Sequence, residues 1–254
     1  MPFALDIAAT GLFGGLIGSF LNVVAHRLPR GESLVSPGSH CPGCGTPVRP
    51  YDNVPVLSWL FLRGRCRSCG VRISPRYPLV ELLTAAVFVL VVALNGLDEE
   101  LLLELPFAAA LIALAAIDLD HRLLPNKIVY PLAAYGVVAT LIVDRADLAE
   151  NLIAGVGAFT FLFLVVLAYP RGMGMGDVKL AGAMGIYLGL SVIPALLIAF
   201  LAGSVVGLVM IAREGASARK KAVPFGVFLA LGGIVALLAG PELIELYRDN
   251  FLAE

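Results

Sequence analysis

The stretch VKLAGAMGIYLGLSVIPALLIAFLAGSVVGLVMIA, residues 178–212, runs for over thirty residues with one charge, Lys179. A hydrocarbon core of roughly 30 Å is crossed by about 20 helical residues, so this run is long for one crossing and short for two. Glycine and proline punctuate helices, and Gly189 to Pro194 is where the run divides into two short helices. That division decides on which side of the membrane every later loop emerges.

The rest of the chain has the same character. Of 254 residues, 59% are hydrophobic and 15% charged, and the mean hydropathy is +0.91, which excludes an ordinary soluble domain. Apolar windows of spanning length recur near residues 5–25, 79–95, 101–117, 126–143, 152–169, 178–192, 195–212 and 224–241. The expected fold is an all-α polytopic membrane protein of about eight transmembrane helices, with the lipid bilayer as its first partner.

Charge tests the division. Cytoplasmic loops carry the excess of Lys and Arg, and the segment after the first span holds Arg27, Arg30, Arg49, Arg63, Arg65, Arg67, Arg72 and Arg76 against only Glu32 and Asp52. With eight spans the other cytoplasmic loops hold Arg122 with Lys127, Arg171 with Lys179, and Arg213 with Arg219, Lys220 and Lys221. The opposite side holds Asp98, Glu99, Glu100, Asp144, Asp147 and Glu150. The alternation works only if residues 178–212 cross twice, and it turns both termini outward. The net charge of −1 averages a basic inner face and an acidic outer face, and no nucleic-acid partner is expected. The first span lacks a basic n-region and ends in AHRLPR, so it reads as a retained helix and not as a cleaved signal peptide.

Between the first two spans lies a polar segment of about fifty residues that contains all four cysteines. They form two Cys-x-x-Cys knuckles, Cys41 with Cys44 and Cys66 with Cys69, each followed by a glycine and separated by 21 residues. The spacing lets two thiolates of one turn reach one ion, and two knuckles complete a tetrahedral zinc site. Two disulfides are the bland alternative, disfavoured on a cytoplasmic face where thiols stay reduced; a redox pair would need only one knuckle. Four cysteine ligands leave no open position for water, so the zinc is expected to be structural. In so small a segment it supplies much of the folding energy.

Charged groups in or beside membrane spans are costly, about 2.5 kcal/mol or more at mid-helix, and invite a functional hypothesis. Glu81, Asp118, Asp120 and Asp177 stand in such places. Asp118 ends the third span and Asp177 begins the sixth, both on the cytoplasmic side of the eight-span topology. Two close carboxyls share a proton and titrate as a unit. One can take a proton from water while the other donates to a leaving group, as in aspartyl peptide hydrolysis. The bland readings are an N-cap for Asp177 and wetted interfacial charges for Asp118 and Asp120.

Asp177 closes RGMGMGD, residues 171–177. Gly174 and Gly176 remove side chains that would hold a peptide strand away from the acid. As a phosphate loop the stretch fails: it lacks the Gly-Lys-Ser/Thr ending and sets a negative charge where an anion would bind.

Taken together, GSFLNVVAHRLPR at residues 18–30, the double knuckle with NVPVLSWLFLRGRCRSC and ISPRYPLVE, IDLDHRLLPN at 117–126, GMGDVKL at 174–180 and VPFGVFLALGG at 223–233 resemble the bacterial type IV prepilin peptidases, membrane aspartyl proteases of the GxGD type. The resemblance covers nearly the whole chain. It implies Asp118 and Asp177 as the catalytic pair, with Asp120, His121 and Asn126 in support; many members have Asp where this chain has Asn126. Gly174, Gly176, Asp120, Asn126 and Lys179 are expected near the substrate. The resemblance further implies cleavage of a short basic leader from prepilins or secretion pseudopilins at the cytoplasmic face of the bacterial inner membrane. In bifunctional members the new N-terminus is then methylated from S-adenosylmethionine, an activity that accompanies the cysteine segment kept here. No Gly-rich nucleotide fingerprint stands in residues 28–80, and Glu81 is the candidate for the methyl-donor site, against a snorkelling carboxylate at a helix start.

The expected organisation is a first transmembrane helix over residues 1–27, a cytoplasmic four-cysteine zinc-ribbon-like domain over 28–78, and a seven-helix peptidase domain over 79–254. Two rival classes start from the same residues. A cation or proton-coupled transporter would use Asp118 and Asp177 as intramembrane acids, although no internal symmetry between halves is visible. A zinc-bearing scaffold would need no acids at matched depth.

Overall fold

A computed structural model of the chain describes residues 2–170, 172–215 and 223–251. Arg171, Arg219, Lys220 and Lys221, counted above among the basic loop residues, lie outside the described residues. The described residues hold helices and no strands, with two isolated antiparallel bridges, His40 with Pro47 and Arg65 with Arg72. The chain divides into two compact units, Met1–Leu97 and Asp98–Glu254.

In the first unit, α1 (Pro2–Arg27) and α3 (Arg76–Asn95) run antiparallel, and the knuckle segment with its short helix α2 (Leu57–Phe61) joins them. Small residues set the fit, as is usual where helices meet without a hydrophobic drive between them. A β-carbon on Gly14 would lie 2.8 Å from Ala85 Cα, and one on Gly18 would lie 2.7 Å from Glu81 Cα. Asn22 crosses the same seam, its amide donating to Tyr77 O at 3.0 Å. The compact division falls after α3, which is bound to α1 along its length.

The second unit contains α4 (Leu101–His121), α5 (Asn126–Val143), α6 (Leu148–Ala168), α7 (Met175–Leu188), α8 (Val192–Glu214) and α9 (Phe225–Phe251). By length and composition, seven apolar helical stretches among the described residues could cross a membrane, one of them the 40-residue Met175–Glu214. Neighbours on α9 resolve that stretch into two antiparallel helices. Gly233 of α9 faces Met184 of α7, and both Gly226 of α9 and Gly176 of α7 meet Leu124, so α7 runs parallel to α9. Gly240, Gly232 and Gly203 pair with Ser191, with Ala195 and Ala199, and with Phe228 in turn, so α8 runs antiparallel to α9. The reversal is the 3-10 turn Gly189–Ser191, inside the Gly189–Pro194 division expected from sequence. Among the described residues eight long helices result, with α7 the shortest: its 14 residues rise about 21 Å.

Gly189 makes that turn possible. Its φ of +51° and ψ of −133° suit glycine alone, and a β-carbon there would lie 2.7 Å from Asn151 Oδ1 on α6. Glycines also seat α7 on α6, where a β-carbon on Gly185 would sit 2.5 Å from Gly155 Cα. Tyr187 fixes the opposite flank of α7, its hydroxyl donating to Leu132 O at 2.8 Å and its ring stacking on Phe107 with centroids 4.5 Å apart. Leu111, Met184, Leu180 and Leu229 fill the centre, each fully buried. The last helix runs past its expected end at residue 241: Pro241 removes a backbone donor, Ala239 leaves helical geometry, and the chain resumes as helix to Phe251.

Candidate active site

Asp118 lies in the last turn of α4, which ends at Arg122 in a left-handed conformation, its N–H donating to Asp118 O at 2.8 Å. The Asp118 side chain is 5% exposed and points at the start of α9. There the N–H groups of Gly226 and Val227, in the first turn and without helical acceptors, face its carboxylate. Asp118 Oδ2 is buried with no hydrogen-bond partner among the described residues. A buried orphan acceptor of this kind calls for a water or a substrate group.

Asp177 is the third residue of α7. Its Oδ2 accepts the N–H of Gly174 at 3.0 Å, the half of a capping box that the third residue supplies, and its own N–H donates to the backbone Gly174 O at 3.1 Å. The side chain is 9% exposed. The N-cap is Gly174 and not Asp177 as expected; the Asp177 carboxylate caps the helix from its third position while belonging to the carboxylate pair. Asp118 and Asp177 are close enough for the charge of one to act on the other, and Leu124 lies between their supports, against both Gly176 and Gly226.

The remaining expected residues separate around this pair. Asp120 is exposed, two residues beyond Asp118 and turned away from the buried side of α4. Asn126 opens α5, and its Oδ1 accepts from Lys179 Nζ at 3.2 Å. The Lys179 ammonium also sits 5.2 Å from the centroid of the Tyr130 ring. Asn126 and Lys179 thereby tie α5 to α7 two residues beyond Asp177. Gly174 is exposed and Gly176 half-buried against Leu124. Sequence reasoning missed Gly226, which stands in VPFG; a β-carbon there would lie 2.9 Å from Asp118 Oδ2. Its signal was a glycine at the start of an apolar helix, where glycine is otherwise disfavoured.

In the first unit the four cysteine sulfurs lie within 4.8 Å of one another. The Cys41 and Cys69 sulfurs are 3.7 Å apart, close to the roughly 3.8 Å that a tetrahedral ion with Zn–S bonds of about 2.3 Å imposes, and none of the four is in a disulfide. The knuckles repeat one plan. Cys41 N–H donates to Thr46 O and Cys66 N–H to Val71 O, each at 2.9 Å, and Gly45 and Gly70 turn with φ of +71° and +73°. Bonding to Thr46 lowers the Cys44 thiol to about 6, which favours the thiolate that binds metal. Asp52 clamps the second knuckle by accepting from Arg67 Nε and Nη2 at 2.6 to 3.0 Å. The donor set fits a structural zinc ion.

Glu81 is 9% exposed and already engaged. Its Oε2 accepts the N–H of Val56 at 2.7 Å, and Ser19 also bonds to it. Val56 needs the help: its φ of +60° and ψ of −51° are costly for a β-branched residue. They close a tight turn in which Leu57 N–H donates to Pro55 O at 2.6 Å.

Seven apolar stretches long enough to cross a membrane among the described residues, a buried carboxylate pair at helix ends and a metal-type cysteine cluster define a polytopic membrane protein with one carboxylate centre and one thiolate centre. Comparison with known proteins narrows this. Residues 12–94 match the profile described as "Bacterial Peptidase A24 N-terminal domain", and residues 105–211 match the "Type IV leader peptidase family", one match within each compact unit. Proteins named "Prepilin leader peptidase/N-methyltransferase" from Aeromonas hydrophila, Pseudomonas aeruginosa and Neisseria gonorrhoeae are 38%, 35% and 35% identical, over 95%, 95% and 94% of this chain and 93%, 93% and 91% of their own. No solved structure matches. The chain belongs to the type IV leader peptidase family.

Proposed function

We propose that this chain is a membrane aspartyl endopeptidase that removes the basic leader of type IV prepilins and pseudopilins, and an N-methyltransferase that then modifies the exposed N-terminus. The observation that carries the first activity is the seating of two buried carboxylates, Asp118 and Asp177, at helix ends within electrostatic reach of each other. Such a pair holds one proton between its carboxyls. The ionised member takes a proton from water, whose oxygen attacks the scissile carbonyl, while the other donates to the departing amine as the C–N bond breaks. The exposed Gly174 edge admits an extended peptide. Family membership favours this reading over a transporter that would use the same acids.

The second activity is supported by the names of the relatives and by the retained knuckle segment. Cys41, Cys44, Cys66 and Cys69 would hold a zinc ion whose contribution is to fold the segment, since all four positions are filled by protein. S-adenosylmethionine would supply a methyl group to the free amine, releasing a proton and the demethylated sulfide. Glu81 serves this activity through the Pro55–Leu57 turn that it pins. The excess of Lys and Arg in loops 28–75, 122–127 and 213–221 supports placing the zinc segment and the carboxylate pair on the cytoplasmic side of the inner membrane.

The test is to incubate the purified protein in detergent with a prepilin and compare Asp118→Asn and Asp177→Asn with the parent. Each substitution is expected to abolish cleavage while leaving the helical fold in place. Persistent cleavage by either variant would refute the pair. A labelled methyl donor in the same reaction reads the second activity.

A further inference from the structure

Arg27, the last residue of α1, is 8% exposed, although a long cation at a helix end ordinarily reaches water. Its Nη1 donates to Ser33 O at 3.0 Å and its Nη2 to Gly38 O at 3.4 Å. Among the described residues no carboxylate forms an ion pair with it. The two carbonyl oxygens take two of the five guanidinium N–H groups and leave the positive charge without a counter-ion, which is unfavourable in a sheltered place.

Beside the guanidinium lies a cavity of about 280 Å³ lined by Arg27, Glu32, Ser33, Ser36, Pro37 and His40. The chain is folded to bring these together. Gly31, with φ of +71°, reverses direction after the proline at 29, and Glu32 N–H returns to Arg27 O at 3.1 Å. A carboxylate residue on the exposed rim thus shares one cavity with a buried guanidinium. His40 extends the wall to Cys41, so the cavity adjoins the first knuckle.

We propose that this cavity binds the amino-acid end of S-adenosylmethionine, the Arg27 guanidinium taking its carboxylate and Glu32 its ammonium. The assignment rests on the methyl-transfer reading above. Arg is suited to a carboxylate because its planar fork matches two oxygens. Glu32 selects the ligand class: a free phosphate or an anionic lipid headgroup would meet a like charge at the rim, whereas a zwitterion finds a partner for each end. The volume lies just under that of sites that enclose whole small ligands, roughly 300 to 1,000 Å³, and so suits the methionyl end with the nucleoside outside it.

Equilibrium dialysis of the zinc-loaded full chain in detergent tests this, with labelled S-adenosylmethionine and with 5′-methylthioadenosine, which lacks the amino-acid end. Arg27→Lys keeps the charge and loses the fork; Glu32→Gln alters only an exposed side chain. Each is expected to weaken S-adenosylmethionine about tenfold or more and to leave 5′-methylthioadenosine unchanged. Should Arg27→Lys fail to fold, as read by Trp59 emission, Glu32→Gln carries the test alone. Equal binding of S-adenosylmethionine by parent and Glu32→Gln would overturn the site and leave methyl transfer standing. A parent that binds both compounds equally would overturn it as well. No binding of S-adenosylmethionine by the parent would refute the methyl-transfer reading itself.

Discussion

A β-carbon on Gly226 would stand 2.9 Å from Asp118 Oδ2 and 2.8 Å from Leu124 Cδ2. The start of α9 is therefore pressed onto the acid of α4 at a distance only glycine allows, with the N–H groups of Gly226 and Val227 facing the carboxylate. Gly226→Ala must push α9 away or rotate the Asp118 side chain. A displacement near 1 Å at a reacting group costs about a hundredfold in rate. Prepilin cleavage by Gly226→Ala is expected to fall by about that factor while the protein remains folded by circular dichroism. Cleavage at the parental rate would show that the contact is incidental.

Most of the helical architecture was legible because the bilayer dictates span length, and loop charge then arbitrates the ambiguous run at 178–212. Gly189 could be read as a breaker because its freedom is local. The cysteine knuckles were legible for the same reason, since two-residue spacing is itself a geometric statement. Gly226 was not: its meaning depends on α9 meeting α4, a pairing that no periodicity within either helix encodes. The binding of α3 to α1 was equally hidden, because Gly14 and Gly18 become a seam only when Ala85 and Glu81 face them. For Glu81, rarity and depth were legible without the partner, and the structure supplies Val56 N–H.

Trp59, the single tryptophan of the chain, reports on the zinc segment. Its indole N–H donates to Ile73 O at 3.1 Å and its ring covers Gly64, where a β-carbon would come within 2.8 Å. Both contacts flank the second knuckle. Removing metal with a chelator is expected to red-shift Trp59 emission as the ring becomes wetted, and returning one equivalent of zinc should restore it. Cys66→Ser should mimic the chelated state and reduce methylation far more than cleavage. Emission indifferent to metal, or zinc far below one ion per chain, would contradict the four-cysteine site.

Acid should loosen the same segment through Asp52. The Arg67 guanidinium holds the Asp52 carboxyl below its ordinary range, so the clamp contributes stability above the ordinary carboxylate value and loses it as pH falls through the lowered one. Zinc-loaded parent and Asp52→Asn should differ in denaturant midpoint at pH 7, followed by Trp59. That difference should shrink once the pH passes below about 4. Because Arg67 is 54% exposed, salt should weaken the clamp. A midpoint difference constant down to pH 2 would assign the effect of Asp52→Asn to packing alone.

The turn that separates α7 from α8 offers a test of the eight-helix topology that is independent of catalysis. Gly189 combines a φ of +51° and a ψ of −133° with a close approach to Asn151 Oδ1. Gly189→Ala therefore carries two costs, a backbone cost of about 1 to 3 kcal/mol and a steric one against α6. Thermal unfolding in detergent is expected to drop by about 5 °C or more. The two costs separate in the double variant. Asn151→Ala removes the opposing side chain, so Gly189→Ala made in that background should be less harmful by the steric part while the backbone part persists. If α7 and α8 were one continuous helix, residue 189 would be helical and alanine would stabilise it. A rise in melting temperature on Gly189→Ala would thus refute the reversal, and with it the return of the end of α8 to the side on which α7 begins.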